Sequence, residues 1–140
     1  MIGTIIARKA VRNAFQALSN HDLESFMAAW SNDGVLTYPG EMWGSGIFTG
    51  KPAVSEWCRK FFEQYPKIFF DVQQIAAEKI FAFTGTNVFM VHWNIYLTNK
   101  TGREGQNSGV SVITLQGGKV IKVKDFVFDL GENFRLNWGA

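Results

Sequence analysis

The chain has few of the residues that build covalent or metal cross-links. Its 140 residues include a single cysteine, Cys58, which excludes an internal disulfide and a cysteine metal site. The two histidines, His21 and His92, are far apart in the sequence and leave too few ligands for zinc. No glycine loop of the phosphate-binding type is present, because the "GGK" at 117–119 is typical of a hairpin. We therefore expect no metal and no cofactor.

Charge of one sign and long apolar runs are also scarce. The net charge is only +2 and the basic residues are scattered, which argues against nucleic-acid binding. No stretch approaches the roughly 20 apolar residues of a membrane span, and the apolar start is too short for a signal peptide. A lone cysteine fits a reducing compartment. We expect a cytoplasmic protein that forms one domain over residues 1–140.

Aromatic residues, in contrast, are abundant. They make up 15% of the chain and include 13 Phe and 5 Trp. Together with a hydrophobic fraction of 46%, they indicate either a large core or an apolar cavity lined by rings.

The order of the patterns predicts an α+β fold. Apolar residues recur at helical spacing in three segments, at 4–20, 22–30 and 51–65. A short strand and a glycine-rich loop lie between the second and third helices. Alternating patterns then predict a meander of strands at 67–78, 79–99, 106–116 and 119–129. Helices followed by such a meander pack on one side of a curved sheet.

One strand carries a carboxylate on its apolar face. In "KVKDFVFD", successive side chains alternate, so Asp125 shares a face with Val123 and Val127, and Ile121 extends that face. A carboxylate among valines is desolvated, which raises its pKa towards the range useful for acid–base catalysis. The alternative is a buried carboxylate that a neighbouring His or Trp N–H satisfies.

Several motifs together resemble one superfamily. The chain contains a helix with an "N-x-D" break, a "NDGV" strand entry, a "GKPAV" helix start and the terminal hairpin "GVSVITLQGGKV…KDF". In this order they resemble the SnoaL-like superfamily, which includes nuclear transport factor 2, ketosteroid isomerase, limonene epoxide hydrolase and SnoaL-type polyketide cyclases. The resemblance implies a cystatin-like α+β barrel. In it, a cone-shaped, curved, mixed but mainly antiparallel sheet wraps around three N-terminal helices and encloses a funnel-shaped cavity. It also implies a homodimer through the outer sheet face.

The resemblance suggests two catalytic residues. "KDF" is similar to the "RDY" of limonene epoxide hydrolase, where the aspartate is catalytic, and Asp125 falls on that position. His92, Asn94 and Tyr96 share a face of the long strand. By position, His92 resembles the arginine and Asn94 the first aspartate of the epoxide hydrolase's Asp-Arg-Asp set. We expect His92 to pair with Asp125 and to titrate with it. The alternative for His92 is a core histidine bonded to a carboxylate.

Further residues are candidates for contact with a substrate. Asn94 and Tyr96 are expected at the cavity wall, Tyr38 as a hydrogen-bond donor near the mouth, and Trp43 as a lid. Ser111 faces inwards near the position of the second aspartate of ketosteroid isomerase. Trp30 belongs to a ring-rich set that is mostly core, and it is expected in the subset that lines the cavity. For each of these residues, the alternative is a side chain that only packs in the core or the cavity wall. The tail "GENFRLNWGA" is expected to fold back, so that Phe134 or Trp138 covers the cavity mouth or a dimer partner.

The sequence therefore supports two functional hypotheses. The first is a cofactor-independent acid–base enzyme of the epoxide hydrolase, isomerase or polyketide cyclase type, acting on a small, apolar, cyclic molecule. The second is a ligand-binding or dimerisation module of the same fold without catalysis, because a fold alone does not specify a reaction.

Overall fold

A computed structural model of the chain describes residues 2–79 and 85–139. Within these ranges the chain forms four helices and six strands. The helices are α1 (Ile2–Ser19), α2 (Leu23–Ala28), α3 (Lys51–Gln64) and α4 (Glu132–Asn137). The strands are β1 (Trp30–Tyr38), β2 (Gly46–Thr49), β3 (Lys67–Lys79), β4 (Thr86–Thr98), β5 (Glu104–Gln116) and β6 (Lys119–Val127). None of the described helices is both long and apolar enough to cross a membrane.

The six strands form one curled sheet in the order β2-β1-β6-β5-β4-β3. Only the β1–β6 pair is parallel, and every other neighbouring pair is antiparallel. α1 packs against β3, and α3 packs against β1 and β2. The predicted α+β class and the predicted mixed, mainly antiparallel sheet are confirmed.

The region around the second helix differs from the prediction. Asp22 caps α2 by accepting a hydrogen bond from the backbone N–H of Ser25, and the helix ends at Ala28 rather than at residue 30. The segment 31–34, "SNDG", lies inside β1 at a register shift. A Cβ on Gly34 would lie 2.5 Å from the ring of Trp30, so glycine is needed where the strand folds closely over this ring.

The ends of two other predicted elements also change. The strand predicted over 79–99 is observed as β4 from Thr86, and residues 80–84 lie outside the described part of the chain. The short strand β2 and the helix α4 were not predicted as elements. The tail that contains α4 nevertheless folds back onto the domain, as the sequence analysis expected.

The core lies between the inner face of the sheet and the helices. α1 contributes Val11 and Phe15, and α3 contributes Val54 and Phe61. Phe15 packs edge-on against Phe70 of β3, with ring centroids 5.2 Å apart. Because the helices face the inner side of the sheet, the space between them is surrounded mainly by apolar side chains.

Candidate functional site

A cavity of about 500 Å³ lies between the inner sheet face and the helices. Its walls are mostly aromatic and aliphatic, and they include Phe15, Trp57, Phe61, Trp93, Ile95 and Val123. Polar side chains also line it, and those among the inner walls include Tyr38, Tyr65, Ser111 and Asp125. An apolar cavity with a few polar groups is the usual form of a small-molecule site.

Asp125 lies on the inner face of β6, where the strand alternation predicted it. Ser111 is its register partner on β5, and the Ser111 hydroxyl donates a hydrogen bond of 2.5 Å to Oδ1 of Asp125. The indole Nε1 of Trp93, on β4, donates in turn to Oγ of Ser111 over 2.9 Å. The carboxyl is therefore held at the end of a two-bond chain that spans three neighbouring strands.

Burial changes the acidity of this carboxyl. Desolvation raises the pKa of Asp125 to about 6, and the hydrogen bond from Ser111 acts in the opposite direction. A carboxyl with such a pKa is populated in both protonation states near neutral pH. It can therefore take up or release a proton within the cavity.

The inner face of β6 departs from simple alternation at its start. Leu115 pairs with Val120 and Thr114 pairs with Lys122, so Ile121 is an extra residue at a bulge. Val120 lines the cavity in place of Ile121, which corrects the prediction that Ile121 extends the inner face.

Tyr38 and Cys58 line the same cavity as protonated groups. Burial, together with the charges of Asp125 and Tyr65, raises the pKa of Tyr38 well above its ordinary value. Its hydroxyl is therefore a hydrogen-bond donor at any physiological pH. Burial and the nearby Asp125 raise the pKa of the Cys58 thiol to about 12, which makes it a packing group and a poor nucleophile.

His92 lies on the opposite side of the sheet from Asp125. Its register partner on β5 is Val110, whose partner on β6 is Phe126, and the Phe126 side chain is 50% exposed. Asp125 instead belongs to the row through Ser111 and the fully buried Val91. The predicted pairing of His92 with Asp125 is wrong, because adjacent positions on β4 point to opposite faces.

The same alternation moves two more candidates out of the cavity. Asn94 and Tyr96 share the outer face with His92, and Tyr96 stacks on Phe69 of β3 with centroids 6.2 Å apart. Trp93 and Ile95, which alternate with them, line the cavity instead. The expectation that Asn94 and Tyr96 contact a ligand in the cavity is therefore wrong.

The two tryptophan candidates have different positions. Trp30 is buried and lines the cavity, as expected. Trp43 is 44% exposed and packs edge-on against Trp138, and its indole Nε1 donates to the backbone carbonyl of Trp138 over 2.8 Å. Trp43 thus packs on the outside of Trp138, and Trp138 in turn lines the cavity.

The C-terminal tail closes one end of the cavity. Trp138 is only 2% exposed and stacks on Phe61, with centroids 5.6 Å apart. Gln64 donates to the backbone carbonyl of Asn137 over 2.7 Å. A Cβ on Gly44 would lie 2.7 Å from the Trp138 ring, so the glycine-rich loop accommodates this ring by lacking a side chain. The tail therefore folds back as expected, and both Phe134 and Trp138 line the cavity.

The sequence reasoning did not predict the roles of two cavity residues. Trp93 supports Ser111, and Tyr65 lines the cavity with a hydroxyl that has no hydrogen-bond partner among the described residues. Trp93 alternates with Val91 and Ile95, and this apolar row was the signal for the inner face of β4. Tyr65 directly follows α3, and only the tertiary structure reveals its position.

The described residues do not bring metal-ligating side chains together. Within 2–79 and 85–139, no group of three or more His, Cys, Asp or Glu side chains lies close enough to hold an ion. The Nε2 atom of His21 lies 2.7 Å from the carbonyl of Tyr65, and His92 is on the outer sheet face.

Comparison with protein families identifies one domain model. A model described as a SnoaL-like domain matches residues 11–123, which include the second half of α1, all of α2 and α3, the strands β1 to β5, and the start of β6. No curated protein matches the chain by sequence.

Solved structures with the same fold are numerous but distant in sequence. Bal32a from a soil-derived mobile gene cassette is 13% identical with a TM-score of 0.78, covering 94% of this chain and 95% of its own. TerC, co-crystallised with polyporic acid, is 13% identical with a TM-score of 0.76, covering 94% and 97%. A putative isomerase from Bacillus subtilis is 19% identical with a TM-score of 0.75, covering 99% and 96%. Other neighbours are described as NTF2-like or as having a cystatin-like fold. At these identities the likeness shows the fold alone.

Proposed function

The chain belongs to the SnoaL-like domain family, and on that basis we propose that it binds a small, largely apolar cyclic molecule in its cavity. The proposal further assigns to Asp125 a proton transfer in a cofactor-independent reaction of the epoxide hydrolase, isomerase or polyketide cyclase type. The single observation that carries it is the Asp125 carboxyl, whose pKa is raised to about 6 in an apolar cavity of about 500 Å³.

The groups around Asp125 have separate roles in this proposal. Ser111 and Trp93 orient the carboxyl through their hydrogen bonds, so they are positioning residues. Tyr38 donates a hydrogen bond to a ligand oxygen, since its raised pKa keeps the hydroxyl protonated. Trp30 packs against the apolar body of the ligand. The raised pKa of Asp125 suits it to act as a base when ionised and as an acid when protonated.

Two structural neighbours are compatible with this chemistry. One is described as a putative isomerase, and the other was co-crystallised with polyporic acid. They support the proposal of a ligand in the cavity only by analogy of fold, so the Asp125 carboxyl remains the main evidence for the proposal.

A test begins by identifying the ligand. The protein is purified from its native source, and small molecules that it releases on denaturation are identified by mass spectrometry. Turnover of the released compound is then compared between wild type and Asp125→Asn. We expect a loss of at least about 100-fold in kcat, and unchanged turnover would overturn the assignment of Asp125. Retained binding with no turnover by either protein would favour the non-catalytic ligand-binding module.

The outer face of the sheet supports a second proposal, that of a homodimer. Five apolar side chains form an outer aromatic face that is well exposed: Phe69, Met90, Tyr96, Phe126 and Phe128. Large exposed apolar patches commonly mark interaction sites. A dimer at this face is also consistent with the alternative hypothesis of a dimerisation module. For the enzyme and for the module alike, we propose a cytoplasmic location.

A further inference from the structure

Two buried polar atoms lie unpaired beside the tail of the protein. They are Oη of Tyr65 and Oδ1 of Asn137, and neither has a hydrogen-bond partner among the described residues. Tyr65 is 1% exposed and Asn137 is 7% exposed. Since the large majority of buried side-chain polar atoms in native proteins have a hydrogen-bond partner, two unpaired atoms in one region need an explanation.

Both residues line the cavity, and both lie next to Trp138. The Tyr65 ring meets the Trp138 ring edge-on, with centroids 5.3 Å apart, and Asn137 precedes Trp138 in the chain. The rest of Asn137 is well bonded, because its backbone carbonyl accepts from Gln64 and Asn99. The backbone of Asn137 is therefore held in place, while its side-chain oxygen has no hydrogen-bond partner among the described residues.

These two atoms complement each other chemically. The phenol of Tyr65 is a donor, since burial raises its pKa above the ordinary value and keeps it protonated. The amide oxygen of Asn137 is an acceptor only. A ligand hydroxyl both accepts and donates, so hydroxyl groups are the ligand chemistry that fits this pair.

We propose that Tyr65 and Asn137 form a second polar subsite of the cavity, which recognises one or two hydroxyl groups of a ring-containing ligand. The proposal rests on the proposed function and adds the requirement that the ligand be hydroxylated as well as apolar. Both residues already line the cavity, so a ligand bound in it lies beside them. The cavity then holds a ligand by Asp125 and Tyr38 at one polar group, and by Tyr65 and Asn137 at another.

The test compares two probes of the same ring system, naphthalene and 2,6-naphthalenediol. Affinities are measured by quenching of tryptophan fluorescence for wild type, Tyr65→Phe, Asn137→Ala and Tyr96→Phe. Tyr96→Phe is the matched control, because its hydroxyl is on the outer sheet face. We expect wild type to prefer the diol, Tyr65→Phe and Asn137→Ala each to lower that preference about 3- to 10-fold, and Tyr96→Phe to leave it unchanged.

A second measurement is independent of any ligand. Tyr65→Phe keeps the ring and removes only the unpaired hydroxyl, so the Tm of the free variant is expected to equal or exceed that of wild type. A Tm lower by several degrees would show that the hydroxyl already has a partner, which would overturn the subsite.

The outcomes separate this inference from the proposed function. If Asp125→Asn lowers the preference for the diol but Tyr65→Phe and Asn137→Ala do not, the second subsite is overturned and the proposed site at Asp125 stands. If wild type binds neither probe, both are overturned.

Discussion

Ser111 donates its hydroxyl to Oδ1 of Asp125 across the β5–β6 pair, at 2.5 Å. This bond opposes the desolvation that raises the pKa of the carboxyl. We expect Ser111→Ala to raise the pKa of Asp125 above about 6, because the ionised carboxylate loses its donor. Titration of the Asp125 side-chain carbonyl by carbon-13 NMR measures the change. Ser108→Ala, on the outer face of the same strand, should leave the pKa unaltered, and an unchanged or lower value in Ser111→Ala would contradict the role of this bond.

Asp125 should make the protein less stable as pH rises. Its pKa is about 6 in the folded protein and 3.8 for an ordinary aspartate in the unfolded chain, so between these values the folded state holds more protons than the unfolded state. The free energy of unfolding therefore falls across this window, by roughly 1–3 kcal/mol in total.

The corresponding measurement is urea unfolding of wild type and Asp125→Asn from pH 4 to pH 7.5. The variant carries no ionisable group at this position, so its stability should show a smaller fall over the window and exceed that of wild type at the upper end. A wild-type protein that becomes more stable relative to Asp125→Asn as the pH rises would show that the pKa is not raised.

The tail should contribute strongly to stability through one ring. Trp138 is buried against Phe61 and Tyr65, so Trp138→Ala removes a large packed side chain and should cost about 3–5 kcal/mol. Leu136→Ala, at an exposed position of α4 two residues before Trp138, is the matched control and should cost less than about 1 kcal/mol. Chemical denaturation gives both values, and equal costs would mean that the tail does not seal the cavity as described.

The outer aromatic face should mediate self-association. Phe126 is 50% exposed and Phe128 is 87% exposed, and a charge placed there would be buried in the proposed dimer. We expect wild type to sediment as a dimer and Phe126→Glu to sediment as a monomer. Ile47→Glu, an equally drastic change of an exposed residue on the edge strand β2, should remain dimeric. A monomeric wild type at micromolar concentration would refute the dimer.

Sequence patterns predicted the inner position of Asp125 but not its partner. Alternation along β6 is local, and Asp125 stands among valines, so its face could be derived from a few residues. Partner choice across strands requires knowing which face of β4 points inwards. The polar identity of His92 suggested the wrong face, whereas the apolar row of Val91 and Trp93 carried the correct signal.

Other features depend on tertiary structure and left weaker traces in the sequence. The bulge that moves Ile121 out of the cavity arises from the register between β5 and β6. The close packing of the Trp138 ring against Gly44 brings together residues almost a hundred positions apart in the sequence. Neither relationship has a local spacing from which it could be predicted, whereas the α+β class follows from the order of helical and alternating patterns.

The central claim, that Asp125 is an accessible base in an apolar cavity, can be tested with 5-nitrobenzisoxazole. This flat bicyclic compound loses its ring C–H proton to a base, its N–O bond breaks, and a coloured nitrophenolate forms. We predict that wild type accelerates this reaction with a rate that rises with pH around an apparent pKa of about 6. Asp125→Asn should lower the rate by about 100-fold or more, while Asp71→Asn on the outer face of β3 should not change it. Equal rates for wild type and Asp125→Asn would contradict the account.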